Sequence, residues 1–195
     1  MKIYLIRHGK TEANLQHLYC GSTDLPLSEI GKNELLERKD NVTSLISVYG
    51  KNLRFATSGM KRCNETLKIL FGEVDFEVID EFREIDFGVF EMHSYEELKD
   101  DPDYQTWLED QTGQFVIPGG ESNLQFVTRV AGRVRELAAT HAGNLFVVCH
   151  GGTIAGVMST LFHDKSKSFY DWIPHACEGY VIYYEENRPV SWECI

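Results

Sequence analysis

The sequence lacks any apolar run of membrane-spanning length. Its longest apolar stretches, such as Lys2 to Ile6 and Leu145 to Cys149, are strand-sized, far short of the ~20 residues a membrane helix needs. The opening residues are not expected to act as a secretory leader, because charge at Arg7 interrupts the apolar start and no small-residue cleavage site follows. Positive charge is scarce: 19 Lys and Arg face 30 Asp and Glu, a net charge of −11. That excludes the basic surface with which proteins displace counterions from nucleic acid or anionic lipid. It leaves room for a small anionic substrate, since a local arginine cluster outweighs acidic groups beyond a Debye length. Nor is there a disulfide frame. Cys20, Cys63, Cys149, Cys177 and Cys194 are odd in number and form no C-x-x-C pair, as expected of reduced thiols in the cytoplasm. Internal repeats, low-complexity tracts and Pro/Gly/Ser linkers are absent as well. Residues 1–195 are therefore expected to form one domain.

What is present suffices for a core. With 43% hydrophobic residues, a chain of this length buries roughly two-thirds of its unfolded surface. The runs Lys2 to Ile6 and Leu145 to Cys149, almost continuously apolar, read as central strands buried on both faces. Leu53 to Thr57, Asp75 to Ile79 and Tyr180 to Tyr184 are further strands, with Pro189 to Cys194 a possible edge. Between them lie helical patterns. Ser28 caps a segment running to about Tyr49, with Leu35, Leu36, Val42, Leu45 and Ile46 on its apolar side. Met60, Cys63, Leu67 and Leu70 recur at helical spacing. Ser122 and Gln125 form a capping box ahead of a stripe of Leu124, Val127, Val130, Val134 and Leu137. Thr153 to Phe162 is a last helix. Strands alternating with helices predict an α/β sandwich. The acidic, aromatic stretch around 86–120 reads as an irregular lid or substrate loop.

The two buried strands end alike, one in Arg7-His8-Gly9 and the other in His150-Gly151-Gly152. Ligands of open α/β sheets gather at the carboxyl ends of strands. Glycine there lets backbone amides approach an oxyanion, and a following helix adds its positive end. Arg7 precedes the first histidine, and Arg62 follows another strand. Arginine presents a planar fork matched to phosphate oxygens. Neutral histidine serves as a nucleophile, with a carboxylic acid to protonate the leaving oxygen. A single histidine is ordinarily a hydrogen-bonded structural residue. Two at matching strand ends, one beside an arginine, favour phosphoryl chemistry. A zinc site of His8, His150 and a Glu is the competing reading, and the guanidinium of Arg7 counts against it. His17, His93, His141, His163 and His175 have no comparable setting. The acid stays open among Glu81, Glu84, Asp86 and Glu91.

Arg7-His8-Gly9-Lys10-Thr11-Glu12-Ala13-Asn14 resembles the R-H-G-x-T-x-x-N signature of the histidine phosphatase superfamily, also called phosphoglycerate mutase-like. Gly21 to Ser28 with Gly31, Ser58 to Thr66, and Val148 to Gly152 are similar to its remaining motifs, in the family's order. The resemblance implies a three-layer sandwich, a mostly parallel mixed sheet flanked by helices on both faces. It implies His8 as nucleophile, with Arg7, Arg62 and His150 as further catalytic groups. Arg7, Asn14, Gly21, Arg62 and Gly151 would bind the phosphate. The pattern L-x-E-x-x-x-G-x-x-E resembles Phe82 to Glu91, which selects Glu84 as proton donor and Glu91 as its support. Lys10, Gly59 and Cys63 depart from the family's usual Glu, Pro and Ala. No metal or organic cofactor is implied.

The family's mutases carry a longer insertion and a closing C-terminal tail, whereas the residues after His150 read as a helix and closing strands. An open site admits water to a phosphohistidine, so hydrolysis is expected over transfer. Phe87 to Leu98, Tyr104 to Trp107 and Pro118 to Ser122 are similar to the α-ribazole-5′-phosphate phosphatases of cobalamin synthesis. Tyr95, Tyr104, Trp107 and Phe115 would stack on a heteroaromatic base, or else pack the lid. The expected partner is a small phosphorylated metabolite, with no nucleic acid and no membrane. A broad-specificity or sugar-phosphate phosphatase, a phosphoglycerate mutase and a non-catalytic phospho-ligand sensor are the alternatives.

Overall fold

The computed structural model describes residues 1–47, 53–140 and 143–195. Six strands carry the fold: β1 (Lys2–Arg7), β2 (Leu53–Thr57), β3 (Phe76–Val78), β4 (Asn144–Cys149), β5 (Gly179–Glu185) and β6 (Arg188–Cys194). The helices are α1 (Glu12–Leu15), α2 (Glu29–Ser47), α3 (Lys61–Phe71), α4 (Tyr95–Leu98), α5 (Pro102–Glu109), α6 (Asn123–Thr140) and α7 (Gly151–Leu161). The strand order is β3-β2-β4-β1-β5-β6. β3, β2, β4 and β1 run parallel, and β5 and β6 turn antiparallel on the far side of β1.

Alternation along the central strands splits the core in two. Ile3, Leu5, Leu145 and Val147 join α6 and α7 on one face, while Tyr4, Ile6, Phe146 and Val148 meet α2 and α3 on the other. This period of two explains why both strands are apolar throughout, each face being covered by helices. The result is the expected α/β three-layer sandwich, a mostly parallel mixed sheet with helices on both faces. No helix among the described residues is long and apolar enough to cross a membrane.

Several expectations need correction. Leu124 is 49% exposed, and the stripe of α6 runs through Phe126, Val130, Val134 and Leu137, with Val127 half-buried against the same cluster. The helix turns 3.6 residues per turn from Ser122, which carries Leu124 off the buried side. Leu36, at 55% exposure, likewise faces solvent. Of the other apolar residues assigned to that helix, the side chains of Leu45 and Ile46 lie outside the described set, as do Tyr49 and His141. The stretch 86–120 is not irregular. Ser94 and Glu97 close a capping box on α4, and Asp101 caps α5 with Pro102 in its first turn. Phe90, Leu98, Tyr104 and Ile117 are buried in the same cluster as the sheet. These helix-start signals were masked by a composition rich in acids and aromatics.

Candidate active site

Register brings the two histidines together. In the parallel pair β1–β4, Arg7 lies opposite Cys149, so His8 and His150 follow at the same level. The His8 amide donates to the Cys149 carbonyl at 3.0 Å, and the two rings stand 5.0 Å apart in an edge-on arrangement. β2 ends level with them, since Thr57 pairs with Val148 and Ser58 comes next. Three carboxyl strand ends thus converge beside β1, where the sheet changes direction.

Hydrogen bonds assign the tautomers. His8 Nδ1 lies 2.7 Å from the Gly9 carbonyl, which only accepts, so Nδ1 carries the proton and Nε2 keeps its lone pair. Burial, with Arg62 and Arg7 nearby, holds the His8 pKa well below the usual 6.5. His150 is the reverse. Arg62 Nε donates to its Nδ1 at 3.2 Å, leaving the proton on Nε2, which donates to Ser58 Oγ at 2.8 Å. Burial and then Arg62 hold His150 neutral as well.

Glu84 separates cleanly from the other acids. Its Oε2 accepts from the Gly152 amide at 2.8 Å and its Oε1 from the Ile85 amide at 3.0 Å. Burial nevertheless keeps its pKa above the ordinary carboxylate value, against the lowering by those amides and by Arg7 and Arg62. Glu81 is turned to the surface beside Arg133, and Asp86 accepts from the Gly88 amide. Glu91 gathers five donors: the amides of Gly21, Ser22, Thr23 and Phe87, and the Thr23 hydroxyl. It holds the 21–23 loop, whose Gly21 and Thr23 carbonyls in turn accept from Arg62, both at 2.8 Å.

Two glycines are required by close approach. A Cβ on Gly21 would lie 1.7 Å from the Ile85 carbonyl oxygen, and one on Gly152 would lie 2.4 Å from Glu84 Oε1. Gly152 therefore admits the carboxyl to the start of α7, where amide groups have no helical acceptor. Arg7 donates through Nη1 to the Pro174 carbonyl at 2.8 Å, while its buried Nε has no acceptor. An orphaned buried donor beside a helix start is a natural seat for an oxyanion.

A cavity of about 600 Å³ opens here, and Arg7, His8, Asn14, Glu84, Gly151 and Gly152 form its polar end. Arg62 and His150 are buried one layer behind, and Gly21 is likewise not on its surface. Tyr19, Phe87, Trp107, Leu124 and Tyr170 add aromatic and apolar walls, and Asp110, Gln111 and Asn123 further polar ones. Of the four aromatics expected to meet a base, only Trp107 reaches the cavity. Tyr104 is buried behind it, its hydroxyl 2.6 Å from that of Tyr19, and Tyr95 and Phe115 lie elsewhere. Tyr19 and Tyr170 escaped the sequence reading, and Phe87 entered it only as part of the motif over 87–98. The only signal of the first two is aromatic character, which core residues share. Arg7 is the single cation on the walls among the described residues.

The sequence model of the histidine phosphatase superfamily (branch 1) matches residues 3–194, and the chain belongs to that family. Within it, the protein is a phosphatase. It is 30% identical over 167 residues to the adenosylcobalamin/alpha-ribazole phosphatase of Escherichia coli K12, covering 83% of this chain and 79% of that one. The alpha-ribazole phosphatase structure from Shigella flexneri superposes with a TM-score of 0.80 at 25% identity, over 97% of this chain and 93% of that one. A phosphoglycerate mutase structure from Thermus thermophilus gives a TM-score of 0.72 at 26% identity, covering 98% of each chain.

Proposed function

We propose that the protein hydrolyses a small phosphomonoester through a phosphohistidine on His8, with an aromatic, nucleoside-like leaving group such as α-ribazole. The observation that carries the chemistry is the pairing of a neutral His8, its Nδ1 proton committed to Gly9, with a carboxyl at Glu84 biased toward its acid form.

In the first step His8 Nε2 attacks phosphorus and the P–O ester bond breaks. The leaving oxygen takes the proton of Glu84 and departs as the alcohol. Arg7, Asn14 and the Gly151 amide receive the phosphoryl oxygens at the cavity surface. Arg62, behind them, supplies positive potential, and neutral His150 packs edge-on against His8. In the second step water attacks the phosphohistidine, Glu84 takes its proton and the P–N bond breaks. Phosphate leaves, and neutral His8 and protonated Glu84 are restored. The protein residues alone supply nucleophile, acid and charge, so no cofactor is invoked.

The leaving-group assignment rests on the rest of the cavity lining. A second phosphate or a carboxylate would need further cations, whereas the walls offer Tyr19, Phe87, Trp107 and Tyr170, the neutral amides of Gln111 and Asn123 and the carboxyl of Asp110. This argues for the α-ribazole-like class over sugar bisphosphates and phosphoglycerates. The 86–120 segment, supplying Phe87, Trp107 and Gln111, acts as the substrate-reading excursion of a single domain. The five cysteines are unpaired, as in a reducing compartment, and we place the reaction in the cytoplasm.

The test is phosphate release, in excess chelator, from α-ribazole 5′-phosphate, an aryl phosphate, 3-phosphoglycerate and fructose 1,6-bisphosphate. A strong preference for the first is expected. Equal turnover of the bisphosphate would overturn the leaving-group assignment, and isomerisation of 3-phosphoglycerate would make the protein a mutase. Phosphate binding without release would make it a sensor.

A further inference from the structure

We propose that Arg129, on α6 and outside the cavity, is a positioning residue that sets the proton-donating geometry of Glu84, with Glu121 as its anchor. The proposal rests on the reading of Glu84 as the general acid.

Arg129 turns both terminal guanidinium nitrogens to the segment that carries Glu84 and its Nε to Glu121. Nη1 donates to the carbonyls of Glu81 at 2.8 Å and Arg83 at 2.9 Å, and Nη2 to the carbonyl of Glu84 itself at 2.9 Å. Nε and Nη2 also reach the two Glu121 oxygens, at 3.1 and 2.5 Å. Glu121 closes the loop, because its Oε1 accepts from the Asp86 amide at 3.1 Å and its own amide donates to the Asp86 carbonyl at 3.1 Å. The backbone on both sides of Glu84 is thereby fastened to one ion pair.

The need for such a fastening follows from the local chain. Residues 81–84 leave a short 3-10 turn, Asp80–Phe82, and run extended through Arg83. Among the described residues their carbonyls have no helix or sheet partner; the Thr153 hydroxyl reaches those of Phe82 and Arg83, and Arg129 supplies one planar donor set for those of Glu81, Arg83 and Glu84. Lysine, a single point charge, could not span the same acceptors. With the Glu84 backbone fixed, the Ile85 and Gly152 amides need only fix the side-chain torsions. Arg129 touches neither His8 nor the cavity surface. Its effect on turnover therefore passes through Glu84 and falls on proton donation.

That restriction makes the role measurable. A 4-nitrophenyl leaving group departs without a proton, whereas the alkyl leaving group of β-glycerophosphate requires one. Arg129→Lys and Glu121→Gln are each expected to lower kcat/KM, which reports phosphoryl transfer to His8 and not the later hydrolysis, about 10–100-fold on β-glycerophosphate, part of what a misplaced general acid loses. On 4-nitrophenyl phosphate kcat/KM of the same variants should fall less than about threefold, because attack by His8 is untouched. Glu84→Gln is the reference: it should show the same discrimination more strongly, and adding Arg129→Lys to it should cost nothing further. Discrimination in Glu84→Gln without discrimination in Arg129→Lys and Glu121→Gln, whatever their thermal midpoints, would overturn the positioning role and leave the acid intact. Glu84→Gln losing both substrates equally would overturn the acid itself, and this proposal with it.

Discussion

Replacing Gly152 by Ala separates folding from catalysis in one methyl group. Gly152 lies in the first turn of α7 and needs no positive φ, so alanine fits its backbone. Alanine in a helix is favoured over glycine by up to about 1 kcal/mol, and the fold should keep or gain stability. The methyl, however, would stand 2.4 Å from Glu84 Oε1 and 3.0 Å from Cδ, well inside van der Waals contact. The carboxyl has to retreat by about 1 Å and lose its bond from the Gly152 amide. A displacement of that size at a reacting group costs on the order of 100-fold in rate. The assay is kcat on an alkyl phosphomonoester beside a thermal melt. The expected result is a midpoint at or above that of the parent with turnover down about 100-fold. Parental turnover in a folded Gly152→Ala protein would refute the placement of Glu84 at the start of α7.

Other outcomes follow from the same geometry. Activity needs His8 neutral and Glu84 protonated. Burial lowers the first pKa from 6.5 and raises the second from 4.5, so alkyl-phosphate turnover should peak on the acid side of neutrality. kcat/KM should fall at high pH as Glu84 ionises, and a kcat/KM–pH profile rising steadily above neutrality would contradict this. Glu91→Gln replaces an acceptor of five hydrogen bonds by a group that also donates, freeing the 21–23 loop that holds Arg62. About 2–3 kcal/mol of stability should be lost in denaturant unfolding, with turnover falling alongside. Tyr170 is 70% exposed at the cavity wall, and Tyr170→Ala should raise KM for α-ribazole 5′-phosphate by up to about tenfold. The same change should leave KM for a small alkyl phosphate unaltered; equal effects on both would remove Tyr170 from substrate reading.

Much of this was legible in the sequence, for identifiable reasons. Continuous apolar runs mark strands covered on both faces, and the two ending in His8 and His150 proved to be neighbours in register. The capping boxes at Ser94 and Ser122 and the cap at Asp101 are local signals, although only that of Ser122 stood out against its surroundings. What stayed hidden is set by contacts distant in sequence. The clearance between Gly152 and Glu84, and the Arg129 clamp on the 81–84 carbonyls, exist only once the chain has folded. Arg62 shows the same limit: its type announces a phosphate ligand, yet its donors meet His150, Gly21 and Thr23 behind the cavity wall. Of the aromatic wall only Trp107 is as expected, because Tyr95, Tyr104 and Phe115 resemble Tyr19 and Tyr170 in everything but their place.

The central claim is a covalent phosphoryl group on His8. Rapid quenching of the protein with 4-nitrophenyl phosphate into alkali, which preserves phosphohistidine, followed by intact-mass and fragment analysis, tests it most directly. One phosphoryl group per chain is expected, located on His8, lost in acid and absent from His8→Ala. Stoichiometric phosphate release with no phosphoenzyme, or a label on another residue that survives in His8→Ala, would contradict it.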